Sequence, residues 1–266
     1  MALTLTGLVS TIALGVLRMS IVGHRRVAGY VESSYVLRTG VNVIRSQLLE
    51  LDAGDPSGSD ILDMGRGFVE YRRMVGLLFL CVEADTLTGR LSVFRDDTLR
   101  FGDVGLVPTP VRDEIVVLST GDRSTLSDDR WFRLRLADVA GSYECPGGEP
   151  SLTFTTPDVP AGPLHPGAPL RVIQRFRLRV YADAVGDWWI GSQQSSTRGG
   201  WSAIQPVVGP LVVSGLELTY YDRSGASTSN PAEVALIGVN IFVGGRARNN
   251  VRVLRADIAL RNNPRP

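Results

Sequence analysis

A chain of 266 residues with 44% hydrophobic content has ample material for a core, which excludes a disordered polypeptide. Its 28 basic and 27 acidic residues leave a net charge of +1, so there is no general attraction to nucleic acid or to an acidic surface. Lysine is absent, so every basic residue other than two histidines is arginine.

The stretch from Met1 to about Leu51 contains no proline and reads as one long helix. Its first part, Met1–Leu17 (MALTLTGLVSTIALGVL), carries no charge. At a rise of about 1.5 Å per residue it reaches roughly 25 Å, a little short of a hydrocarbon core. The second part places Tyr30, Leu37, Val41, Ile44, Leu48 and Leu51 mostly three or four residues apart, which makes an apolar stripe for a globular domain to cover. Three readings of Met1–Leu17 stay open. A membrane anchor fits the composition. A cleavable signal peptide fits less well, since nothing basic precedes the apolar run and Arg18, His24, Arg25 and Arg26 follow it. A buried helix of a soluble protein is the third.

Leu51–Asp60 then breaks the helix with Gly54, Pro56 and Gly58. Asp55, Ser57, Ser59 and Asp60 offer oxygens there, but without the alternating spacing and terminal glutamate of a calcium loop. The expectation is a solvated loop and no metal. From Phe68 onward the pattern is that of strands. These are Phe68–Tyr71, Val75–Val82 and Gly89–Arg95, the latter two joined as a hairpin by Asp85–Gly89, then Glu114–Leu118, Trp131–Val139 and Ser151–Phe154. The proline-crowded segment Thr155–Pro169 reads as a long surface connection within one domain, with an interdomain linker as the alternative. A strong hairpin follows: Leu170–Asp183 alternates apolar residues with arginines, Gly186-Asp187 turns, and Trp188–Ser196 returns. Trp201–Val208 is the next candidate strand, and Gly215–Gly225, Val234–Val243 and Val251–Leu260 close the chain.

Two of these segments carry a resemblance. The apolar run from Ala2 to Arg18, leading into an amphipathic helix and a β-rich domain, resembles the N-terminus of type IV pilin-like proteins. The C-terminal third, with a strand ending in Tyr220-Tyr221-Asp222, a glycine turn, and Pro231-Ala232-Glu233-Val234 before a strand pair, is similar to J-type minor pseudopilins of type II secretion and W-type minor pilins. The basic leader and the motif glutamate of that family are not in this sequence. With Leu3–Gly7 set on the motif, Gly7 takes the glutamate position. Setting Met1–Leu17 after the motif puts Met1 about seven residues, roughly 10 Å of helix, inside the mature protein. The expectation is that the codons upstream of Met1 read in frame through a pilin motif.

The resemblance implies an exported domain, and there an even cysteine count favours a Cys81–Cys145 bridge over two unpaired core thiols. It also gives a use to the small and hydroxyl side chains Thr4, Thr6, Gly7, Ser10, Thr11, Ala13 and Gly15, which permit close helix packing.

No nucleophile–base arrangement, zinc motif or phosphate loop occurs, so no catalytic, cofactor-binding or metal residues are assigned and the chain is not read as an enzyme. His24 and His165 stand alone, and Asp96-Asp97 and Asp128-Asp129 read as solvated loop carboxylates. Trp188, Trp189 and Trp201 lie near Arg175, Arg177, Arg179 and Arg198, the raw material of a sugar- or base-stacking surface. Alternation instead sends Trp188 and Trp189 to opposite faces, one to the core and one to a surface or partner.

The expected class is therefore α+β: residues 1–51 form a pilin-type helix whose first half, 1–17, inserts in the membrane, packed on an antiparallel β-rich extracytoplasmic domain of residues 52–266. The expected function is a minor pilin or pseudopilin that helps to initiate or cap a pilus or secretion pseudopilus. Its partners would be other pilin-like subunits, the inner membrane, and a prepilin peptidase if the leader is restored. The alternative is a membrane-anchored binding module for DNA or a surface polysaccharide.

Overall fold

The structure is a computed structural model. It describes the chain except residues 1, 55–57, 86, 96–106, 122–128, 143, 149, 159–161, 245–250 and 261–266; for 2–13 and 25–26 the backbone alone is described. The described residues contain one α-helix, α1 (Ala2–Leu48), and strands β1 (Ile61–Gly65), β2 (Phe68–Phe79), β3 (Arg90–Phe94), β4 (Asp113–Ser119), β5 (Arg130–Arg135), β6 (Asp138–Ser142), β7 (Ser151–Thr155), β8 (Pro169–Ala182), β9 (Trp188–Gln194), β10 (Gln205–Leu211), β11 (Leu216–Tyr221), β12 (Leu236–Gly244) and β13 (Val251–Ala259).

The frame is β8, 14 residues long, which alternates apolar side chains and arginines. Along one side it pairs with β2 from Phe79↔Pro169 to Phe68↔Arg179. Along the other it pairs first with β4 and then with β9, so the sheet forks into a β4–β5 arm and a β9–β10 arm. All pairings are antiparallel. Alternation puts Leu170, Val172, Phe176 and Leu178 on one face of β8, and the structure builds two cores on that face. Leu170 and Val172 meet a second sheet, β3-β7-β6, while Phe176 and Leu178 meet α1 and a third sheet, β11-β12-β13. Val75, at the irregularity in β2, packs against both cores.

Two free edges are blunted by composition. Pro206 and Pro210 remove backbone donors from β10, and Arg252, Arg255 and Asp257 put charge along β13. The third sheet is tied to the β1–β2 turn by Leu218 N–H donating to Arg66 O at 2.7 Å and by the Tyr220 hydroxyl donating to Phe68 O at 3.0 Å. Burial pushes the Tyr220 phenol above its ordinary pKa.

The expected class requires correction. The described residues are mostly antiparallel β in three sheets, a β-rich α+β architecture, and a pilin-like fold with a membrane-inserting half-helix does not describe them. Among the described residues no helix is long and apolar enough to cross a membrane. The physical reason lies in the sequence after Leu17: Arg18, Glu32, Arg38 and Arg45 return charge to the helix before a spanning length accumulates. Among the described side chains of α1, those packed on the sheets lie in its later part. Ser33, Leu37, Gly40, Ile44 and Leu48 face β10, β12 and β13, whereas Tyr30 is 60% exposed. Ile44 and Leu48 are fully buried, which contributes about 1.5–3 kcal/mol each to docking.

Other differences are local. Val75–Val82 and Phe68–Tyr71 are one strand, β2, and Ile61–Gly65 adds a strand before it. Trp131–Val139 divides between β5 and β6, which belong to different sheets. The proline segment is more than a surface connection, because Leu164 is fully buried in the second core and Ala168 O accepts from Leu80 N–H at 3.0 Å.

Candidate interaction surfaces

The helix is gripped at two places. Near its middle the Arg252 guanidinium donates to Tyr30 O at 3.0 Å and to the Ser33 and Ser34 hydroxyls at 2.9 and 3.2 Å, while lying over the Tyr30 ring at 3.6 Å. Ser33 in turn donates to Gly29 O at 2.9 Å. Near its end, the Tyr71 hydroxyl donates to Gln47 Oε1 at 2.9 Å from a fully buried ring whose burial raises its pKa. Between these points Gly40 brings the helix backbone against Val208 of β10.

Before the Arg252 grip, α1 has little cover. Leu14, Val16, Leu17, Met19 and Val27 are all strongly exposed, Met19 at 78%, and Val31 within the grip is exposed on the helix surface as well. A side chain built at Gly15 would meet nothing within 4 Å. Thr4, Thr6, Gly7, Ser10, Thr11 and Ala13 lie outside the residues whose side chains are described.

Cys81 and Cys145 form a disulfide that pins the end of β2 to the connection between β6 and β7. Beside it the Ser92 and Thr153 hydroxyls donate to the Glu144 carboxylate and Arg90 adds an ion pair at 2.6 Å. The Ser92 hydrogen bond leads in holding that carboxyl below its usual pKa.

The tryptophans separate as alternation requires. Trp188 packs against the first core, and Trp189 points to the other face, where its Nε1–H donates to Asp183 at 3.0 Å. Trp201 lies under the Arg177 guanidinium at 4.4 Å, with Arg175 at 5.7 Å. Trp131, unassigned from sequence, carries Arg171 at 3.9 Å. This face is also internally paired: Arg177 Nε donates to Glu70 at 2.7 Å, Arg175 approaches Glu70 at 3.6 Å, and Arg72 and Arg133 both reach Glu114.

A cleft of about 460 Å³ opens where the β1–β2 turn, the end of β8, Trp188 and the start of β11 converge. Sequence reasoning missed it, because its walls come from four separated segments.

His24 is exposed on α1, and His165 sits in the proline segment with its carbonyl accepting from Ala168 N–H. The loop oxygens serve the protein itself: Asp60 accepts from Asp52 N–H at 3.0 Å, and Ser59 donates to Pro231 O at 3.2 Å. Asp55, Ser57, Asp96, Asp97 and Asp128 lie outside the described residues. Among the described residues no group of three or more His, Cys, Asp or Glu could hold a metal ion.

Compared with known proteins, the chain matches no family model, no curated protein and no solved structure, so these comparisons assign it to no family.

Proposed function

We propose that the protein is a structural assembly subunit in the role of a minor pilin or pseudopilin, whose exposed stretch of α1 packs against sibling subunits and helps to start or cap a filament. The observation that carries this reading is the unequal treatment of α1. Its later half is docked and clamped, while Leu14, Leu17, Met19, Val27 and Val31 are strongly exposed among the described residues. Large apolar side chains left exposed in such number along one stretch of helix fit a surface that a partner covers. The Cys81–Cys145 disulfide supports an oxidising compartment for the β domain.

A binding module for DNA or polysaccharide has weaker support. Trp131 and Trp201 each have an arginine over one face, and Arg175 and Arg177 beside Trp201 are also committed to Glu70, leaving less ring and charge for a polymer.

The test is recovery of the full chain from membranes of cells expressing it, followed by mass spectrometry of what co-purifies. Pilin-like subunits should be recovered with the unaltered protein and lost with Leu17→Asp or Val27→Asp. Both positions are exposed, so thermal stability of the β domain should not change. Recovery of the protein alone, or with DNA or polysaccharide and no pilin-like partner, would overturn the reading.

A further inference from the structure

The cleft at the end of β8 is independent of the helix and has a chemistry of its own. Its walls include Phe68, Trp188, Val180 and Leu216 on the apolar side and Arg177, Arg179, Glu70 and Asp63 on the charged side. A volume of about 460 Å³ is within the range of small-molecule sites.

Arg179 is the unusual member. Its Nε is shielded from solvent and has no hydrogen-bond partner, and among the described residues no carboxylate pairs with it. The neighbouring Arg177 is different, since Glu70 accepts from it and also lies near Arg175. Asp63 is exposed, and its Oδ1 accepts from Met64 N–H at 2.8 Å. Nε itself is closed off from the cleft as well as from water, so what Arg179 offers a ligand is the charge of a guanidinium that lines the cleft without a carboxylate partner, which an anionic group would pair.

We propose that this cleft binds a small monocarboxylate, with the carboxylate on Arg179 and an apolar or aromatic body against Trp188 and Phe68. The planar fork of arginine matches the two oxygens of a carboxylate. A phosphate dianion is disfavoured because Glu70 and Asp63 share the lining. The apolar wall selects the body of the ligand, and Asp63 at the exposed side accepts from any hydroxyl or ammonium group it carries.

The experiment titrates the full chain with phenylacetate, indole-3-acetate and hexanoate, following the indole N–H resonance of Trp188, assigned with Trp188→Phe. At least one of the three should bind saturably, and binding should weaken about ten- to a hundredfold in Arg179→Gln, with a smaller loss in Arg179→Lys. The uncharged phenylacetamide should not bind measurably, a contrast read on the unaltered protein that holds even if the Arg179 variants fold poorly. Three outcomes overturn the proposal: no saturable binding by any carboxylate, equal affinity for amide and acid, or displacement of the acid by inorganic phosphate.

Discussion

Gly40 of α1 and Val208 of β10 are in such close approach that a β-carbon at position 40 would lie 2.7 Å from one Val208 methyl and 2.8 Å from the other. The absent side chain at Gly40 is therefore what sets the depth at which the helix beds on the sheet. Gly40→Ala should destabilise the protein by about 1–3 kcal/mol through overpacking, offset by up to about 1 kcal/mol of helix propensity. Thermal unfolding measures the net loss. In a Val208→Ala background the same substitution should be neutral or stabilising, because the colliding methyls are gone. Equal effects in both backgrounds would show that the contact does not control docking.

The Arg252 grip marks where the docked part of the helix begins. Arg252→Met keeps length but removes the donors to Tyr30 O, Ser33 and Ser34, and should cost about 1–2 kcal/mol locally. Amide exchange should accelerate around Tyr30–Ser34 and stay unchanged near Leu48, whose burial does not depend on the grip. Uniform acceleration along the helix would argue that the two ends dock as one unit.

Opening the Cys81–Cys145 bridge releases a loop with a sequence separation of 64 residues. On the chain-entropy account this lowers stability by about 4 kcal/mol, or roughly 10 °C in Tm. Paired Cys81→Ser and Cys145→Ser substitutions should reproduce the effect of reductant on the unaltered protein, and reductant should do nothing further to the double variant.

Glu144 gives that region a pH dependence. Its folded pKa lies below the ordinary glutamate value, led by the Ser92 hydrogen bond and helped by Thr153 and Arg90. A depressed carboxyl contributes stability that is present above its unfolded pKa of about 4.3 and is lost as pH falls through the lower folded value. Glu144→Gln should therefore flatten part of the stability loss below about pH 4 while lowering stability at pH 7. An unchanged acid limb would place the sensitivity elsewhere.

The parts of the fold legible in the sequence were those with a strong period. Leu37, Ile44 and Leu48 declared the docked stripe, and β8 announced itself by its apolar–arginine alternation. Ser33 and Gly40 were not legible as stripe members, because a hydroxyl and a missing side chain carry no hydrophobic signal. Both are explained only by what stands opposite, Arg252 and Val208. The reading of Tyr30 as a buried stripe residue failed for a related reason: its ring is held at the surface under the Arg252 guanidinium. Trp131–Val139 looked continuous because the apolar pattern carries through Leu136, and nothing in composition shows that the chain changes sheets there. Opposite facing of Trp188 and Trp189 followed from alternation alone, whereas the Arg179 cleft depends on long-range assembly.

A helix that is clamped along its later half, with residues 14–27 exposed ahead of the clamp among the described side chains, acts as a shaft. Each residue turns it by about 100° and advances it by about 1.5 Å, so whatever grips the helix ahead of the clamp also fixes the compass bearing of the β domain. Inserting one alanine ahead of Gly29 would swing the domain through more than a quarter turn while leaving every contact of Ser33, Leu37 and Ile44 intact. Seven insertions would bring it nearly back into phase. The bearing of the arginine-faced sheet in any larger structure is thus encoded in the residue count between the two halves of α1, separately from the stability of either.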